Sequence, residues 1–232
     1  MPDSPAPGPS GEAVSSSGDR VLVWDLPTRI FHWLIVLLVA FSFYTGKTGG
    51  TLMQYHEWSG VAILVLVLFR VLWGFWGGAY ARFGDFLEGP RKVLRYASNL
   101  FGRGYRPHLG HNPLGGWSVV AMLASLFVQA ATGLFANDDI FTEGPLYAWV
   151  GKDTSDWLTG IHHINQNVLL GLVALHLGAV AFHFVVKREN LIAPMVTGRK
   201  AWPEAAAPGG GSLIRALALV GVLATAAYLV IY

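Results

Sequence analysis

Five stretches of this chain are each close to twenty residues long and almost wholly apolar: roughly 28–45, 56–76, 117–136, 161–186 and 213–231. A bilayer's hydrocarbon core is about 30 Å thick, which a helix crosses in about 20 residues. Inside lipid every backbone N–H and C=O must be satisfied within the chain, so stretches of this length are helices. The expected fold is all-α, an integral membrane four-helix bundle followed by a fifth, C-terminal transmembrane helix. Composition agrees, since charged residues make up only 13% of the chain, about half the usual share.

The segments between these stretches divide the chain. Residues 1–19, rich in Pro, Gly and Ser, cannot bury enough apolar surface to order and are expected to form a disordered tail. Residues 20–192 form the four-helix domain, 193–212 a linker, and 213–232 the added transmembrane helix. Lys and Arg then set the orientation. Arg82, Arg91, Lys92, Arg95, Arg103 and Arg106 lie between the second and third stretches, and Lys187, Arg188, Arg199 and Lys200 follow the fourth. Between the third and fourth, Lys152 stands against Asp138, Asp139, Glu143, Asp153 and Asp156. Basic loops stay in the cytoplasm, which places the N-terminus, with Arg20 and Arg29, inside, and the acidic loop and C-terminus outside.

The fourth stretch carries "GIHHINQNVLLGLVALHLGAVAFH", with His162, His163, His176 and His183. Ionisable groups inside a bilayer are costly and are usually functional. With about 100° and 1.5 Å per residue, His162 and His176, fourteen apart, share a face to within about 40° and lie about 21 Å apart along the axis. His32 enters the first stretch from the inner side, and His56 enters the second from the outer side. Two pairs at matched depths result: His32 with His176 near the inner surface, and His56 with His162 near the outer.

Paired imidazoles on facing helices are what haem iron takes as its two axial ligands, and helix bundles build cofactor sites in this way. A single His can instead hydrogen-bond a neighbouring helix, but four at matched depths are poorly explained by packing. A zinc or di-iron site would gather its ligands with carboxylates, whereas these pairs lie far apart. The chain has no cysteine, which excludes disulfides, thiolate-held clusters and covalent haem attachment. Two noncovalent, bis-His haem b groups are therefore expected.

Other residues are placed by the same geometry. Arg70, fourteen after His56, shares its face about 21 Å deeper, where it can meet a haem propionate or snorkel to the headgroups. Arg29, one turn before His32, is a weaker propionate candidate, and Gly60, one turn after His56, can let a macrocycle approach. His183 is a reserve candidate for the place of His176. His163 points off the shared face, as a neighbour of the site or a surface residue. His108 and His111, in "RPHLGHNPLGG", are expected to serve loop structure and helix capping.

"TRIFHW", "HEWSG…FRVLW" and two histidines fourteen apart followed by "FHFVVKREN" resemble the bacterial cytochrome b-561 family, which includes the nickel–iron hydrogenase b-type cytochrome subunits. The likeness covers about residues 20–200, and "GHNPLGGW" and "ANDDIFTEGPL" resemble a branch described only as cytochrome b/b6-domain proteins. The resemblance implies a four-helix bundle with two b haems, ligated by His32 with His176 and His56 with His162. Two departures stand out: the Glu that often follows the fourth-helix His is here His163, and the fifth helix lies outside the family core.

The function this implies is transmembrane electron transfer in a bacterial inner membrane, between quinone or quinol and a periplasmic or membrane redox partner. The acidic loop can dock a basic protein such as a cytochrome c, and no nucleic acid is expected as a partner. Two other readings stay open. One is a haem b quinone oxidoreductase acting on a small oxidant or reductant such as superoxide. The other is a membrane anchor and electron-relay subunit of a hydrogenase or dehydrogenase.

Overall fold

The computed structural model describes residues 20–231 apart from 101, 103, 104, 106, 204, 205, 207 and 208. The expected 1–19 tail lies outside the described residues. The helices are α1 (Leu26–Thr48), α2 (Met53–Trp76), α3 (Phe83–Phe86), α4 (Pro90–Asn99), α5 (Pro113–Gly133), α6 (Lys152–Val185), α7 (Ile192–Thr197) and α8 (Leu213–Ile231). Two short strands, β1 (Arg20–Leu22) and β2 (Arg199–Ala201), pair antiparallel. Five of the helices (α1, α2, α5, α6 and α8) are long and apolar enough to cross a membrane.

Local chemistry sets the helix ends. Asp25 caps α1 by accepting the Thr28 N–H at 2.8 Å, and Asn112 caps α5 by accepting the Gly115 N–H at 2.7 Å. Each cap is followed within two residues by a proline, whose fixed φ suits a first turn. Between α1 and α2 the chain reverses at Gly49 and Gly50, with φ of +64° and +58°, a region that disfavours side chains.

α6 begins nine residues before the expected start at 161. This early part is polar and is fixed by specific bonds that hydropathy does not register. Ser155 is fully buried and donates to the Phe135 carbonyl at 2.6 Å, and Lys152 pairs with Asp156 one turn on at 2.7 Å. The 193–212 stretch is more than a bare linker, because α7 lies mostly in it and β2 lies within it. β2 pairs with β1, just before α1, and the Gly209 N–H donates to the Leu22 carbonyl at 2.6 Å.

α1 packs along α2 and α5 along α6, while α2 joins the two pairs by packing on α5 and also carries α8. The core they share includes Phe31, Ile35, Val67, Phe69, Trp73, Leu126 and Leu169. α1 and α6, by contrast, scarcely approach each other. The histidines of interest lie on α1, α2 and α6.

Candidate haem-binding site

At the acidic end of the bundle, the rings of His56 (α2) and His162 (α6) face each other with centroids 6.1 Å apart. The His56 Nδ1–H donates to the Ser42 carbonyl of α1 at 2.8 Å, with the Ser42 hydroxyl 3.2 Å away. The His162 Nδ1–H donates to the Gln129 carbonyl of α5 at 2.9 Å. A carbonyl can only accept, so both protons sit on Nδ1 and both Nε2 atoms keep their lone pairs. That of His162 meets the Gln129 side-chain amide at 3.0 Å, and this amide is in turn held by Asn165 at 2.8 Å.

Two glycines make room for these rings. A Cβ at Gly46 would lie 2.7 Å from His56 Nδ1, and one at Gly133 would lie 3.0 Å from His162 Cε1. Gly60 has open space where its Cβ would be, with nothing within 4 Å.

At the basic end, the rings of His32 (α1) and His176 (α6) lie 6.5 Å apart. The His32 Nδ1 is buried without a partner, and the Trp33 ring meets the His32 ring edge-on at 5.0 Å. Arg29 donates from Nη1 to the Val196 carbonyl at 2.7 Å, while its buried Nε has no partner. Arg70 is only 2% exposed, so it does not snorkel to the surface. Its guanidinium lies 5.4 Å from the Phe83 ring centroid, within electrostatic reach of Asp25, and its Nη1 is buried and unpaired. Asp25 itself also accepts from Trp73 Nε1 and from the Gly78 N–H, each at 3.1 Å.

These residues fit a b-type haem. A metal held between two imidazole nitrogens at about 2.0 Å each brings the ring centroids to about 6 Å, and both pairs are near that spacing. The unpaired Arg70 Nη1 and Arg29 Nε supply donors for an anionic group. Among the described residues no cluster of three or more His, Asp or Glu side chains could hold a metal ion in another way.

Residues 23–198 match the family model of the prokaryotic cytochrome b561. The chain belongs to that family. Among curated relatives, it is 25% identical to a probable Ni/Fe-hydrogenase B-type cytochrome subunit of Bradyrhizobium diazoefficiens, with 86% of this chain and 98% of the relative covered. Proteins of the same description from Azotobacter vinelandii (26% identical, 77% and 87% covered) and, as the hydrogenase 1 subunit, Escherichia coli K12 (22%, 76% and 88%) are also similar. No solved structure matches. The chain is a b-type cytochrome that carries electrons in a membrane.

The remaining histidines of this b561 protein belong to neither pair. His183 is 5% exposed and bonds Glu189 at 3.2 Å, with the Tyr105 hydroxyl at 3.4 Å. The Nδ1 of this reserve candidate is thus engaged away from both pairs. Glu189 also accepts from Tyr105, and from Lys200 at 2.7 Å. Burial opposes ionisation of Glu189, but the Lys200 ammonium and the Tyr105 hydroxyl outweigh it and lower its pKa. His163 is exposed, its ring edge-on to that of His162 at 6.2 Å. His111 is wedged between Trp24 and Phe86 at 4.6 and 4.4 Å. Burial, then the nearby Arg70 charge, lowers its pKa to about 3. The carbonyl of His108 accepts from Lys200 at 2.5 Å. Both residues therefore serve loop structure, and the cap of α5 is Asn112.

Sequence reasoning missed Ser42, Gly46, Gln129, Gly133 and Asn165. A signal existed for three of them, because Ser42, Gln129 and Asn165 are polar residues within membrane spans, where such side chains need partners.

Proposed function

We propose that this cytochrome holds two haem b groups, one between His32 and His176 and one between His56 and His162. It would pass electrons between the quinone pool and a redox partner on the far side of a bacterial inner membrane. The basic end and the N-terminus then face the cytoplasm, and the acidic loop and C-terminus face the periplasm. The observation that carries this reading is the pair of imidazole separations, 6.5 and 6.1 Å. The pairs lie at two depths fixed by the fourteen-residue spacing, about 21 Å along α6.

Bound haem supplies a one-electron Fe(III)/Fe(II) couple whose potential the protein tunes. The protein's own residues do the rest. The Ser42 and Gln129 carbonyls hold the outer imidazoles as Nδ1–H tautomers. This leaves the Nε2 lone pair of His56 for iron, and that of His162 would reach iron in place of the Gln129 side-chain amide it now meets. Arg70, with Arg29 in support, offers unpaired donors to a propionate, and Gly60 leaves clearance beside the outer site. The apolar core, with Phe31, Ile35, Val67 and Leu169, is built from the same helices that carry the histidines.

The partner reading has two forms. The acidic loop suits a basic periplasmic protein such as a cytochrome c. The names of the relatives favour the second form, in which the protein relays electrons as the membrane subunit of a nickel–iron hydrogenase. Copurification with hydrogenase subunits would favour the second.

Haem per polypeptide, measured by pyridine haemochrome, tests the ligand set. Wild type is expected to hold two haems. His→Ala changes at 32, 56, 162 or 176 are each expected to lose one, and those at 163 and 183 to retain both. One haem, or none, in the wild-type protein would sink the proposal.

A further inference from the structure

The short helix α4 separates its side chains by charge. At about 100° per residue, Arg91, Lys92, Arg95 and Asn99 share one sector, and Val93, Leu94 and Ala97 share another. Leu94 is 70% exposed. A basic amphipathic helix of this kind lies along the membrane interface, its apolar side in the acyl region and its cations at the headgroups.

The polar side of α4 forms one wall of a cleft. Lys92, Arg95, Tyr96 and Asn99 line it, Tyr105 and His108 close it, and its volume is about 450 Å³, within the range of small-molecule sites. Among the described residues, the lining contains Lys92 and Arg95 and no carboxylate. Lys92 shares its charge with Glu88 at the rim, 2.8 Å away, whereas Arg95 makes no ion pair among the described residues. The carboxylate behind the wall, Glu189, is already compensated by Lys200 and accepts a hydrogen bond from the Tyr105 hydroxyl. Burial, then Glu189, raises the pKa of that phenol, so it stays neutral. A further cation, Lys187, sits 4.7 Å over the Tyr105 ring. The cleft is therefore electropositive and opens beside a helix whose apolar edge belongs at the lipid boundary.

We propose that this cleft binds the phosphate of an anionic phospholipid, with Lys92 and Arg95 pairing to its oxygens and the acyl chains running past Leu94. Charge complementarity selects the anion, and the exposed apolar edge selects a lipid over a free phosphate. The proposal does not depend on how the haems are ligated.

Native mass spectrometry of the full-length, haem-loaded protein tests it, with phosphatidylglycerol titrated against phosphatidylcholine of the same acyl chains. The expected preference for phosphatidylglycerol is about 30-fold, the contribution of two cations near a membrane surface. Lys92→Gln/Arg95→Gln is expected to abolish it. Arg91→Gln, on the same helix but outside the cleft, is expected to keep it. Haem content of each variant reports an intact fold. Should the double variant lose haem, each single variant carries the test with an expected loss of about fivefold. Three results would overturn the site: no preference between the lipids, equal loss in Arg91→Gln and the cleft variants, or inorganic phosphate binding as tightly as phosphatidylglycerol.

Discussion

At the acidic end both imidazoles donate Nδ1–H to a helix carbonyl, at 2.8 and 2.9 Å, and each has a glycine cut away beside its ring. At the basic end the His32 Nδ1 is enclosed without a partner. Arg29, one turn before His32, has an unpaired Nε, and Arg70, with an unpaired Nη1, is buried in α2 toward the same end of the bundle. One site is organised by backbone geometry and the other by buried charge. The two organise different properties. A carbonyl on Nδ1 raises the basicity of the ligand and favours ferric iron, whereas a cation nearby favours the added electron. With haem at both proposed sites, the centre at the acidic end is expected to have the lower potential, and electrons to run downhill from the acidic end to the basic end. A redox titration with two resolved midpoints checks the order.

The comparison breaks most sharply at Gly46. Gly46→Ala places a methyl group against the His56 ring, so haem per polypeptide is expected to fall from two toward one while the inner haem stays. Loss of both, or of neither, would show that the glycine does not serve the outer site alone. Arg70→Gln tests the other end: the inner midpoint is expected to drop and the outer one to stay. A shift of both midpoints together would mean that Arg70 acts through the fold.

His111 gives the basic end an acid sensitivity of its own. The fold keeps it neutral with a pKa of about 3, against an ordinary value of 6.5. Between those values the unfolded chain binds more protons, so its contribution is full above about pH 6.5 and is lost as pH falls toward 3. The loss is about 2 kcal/mol at pH 5. Thermal unfolding followed from pH 7 to 5 measures it, and His111→Phe is expected to flatten the slope. The smallest effect belongs to Ser42→Ala. It removes the hydroxyl 3.2 Å from His56 but leaves the carbonyl, so a cost under about 1 kcal/mol and full haem content are expected. A large loss of haem there would move the credit from carbonyl to hydroxyl.

The spans were legible because hydropathy is additive along a helix, and the histidine pairs because rise and twist per residue convert spacing into depth. The start of α6 was not legible, since Lys152 is placed by Asp156 one turn on and Ser155 by the Phe135 carbonyl, rather than by any periodic signal. Gly46 and Gly133 were hidden for a related reason. Each clears a ring on another helix, which only the packing of α1 on α2, and of α5 on α6, brings into register. The enclosure of Arg70 was equally invisible, because Asp25 and Phe83 come from segments on either side of it, one before α1 and one after α2.

The β1–β2 pairing fastens Arg20–Leu22 to Arg199–Ala201, so the beginning and end of the haem-binding unit meet at one point. Topologically the four spans are a closed loop, and α8 hangs outside the clasp. New termini opened in the Gly49–Gly50 turn, with the old ends joined across the strands, would leave every histidine pair on the same helices. The unit is in this sense indifferent to where its chain begins.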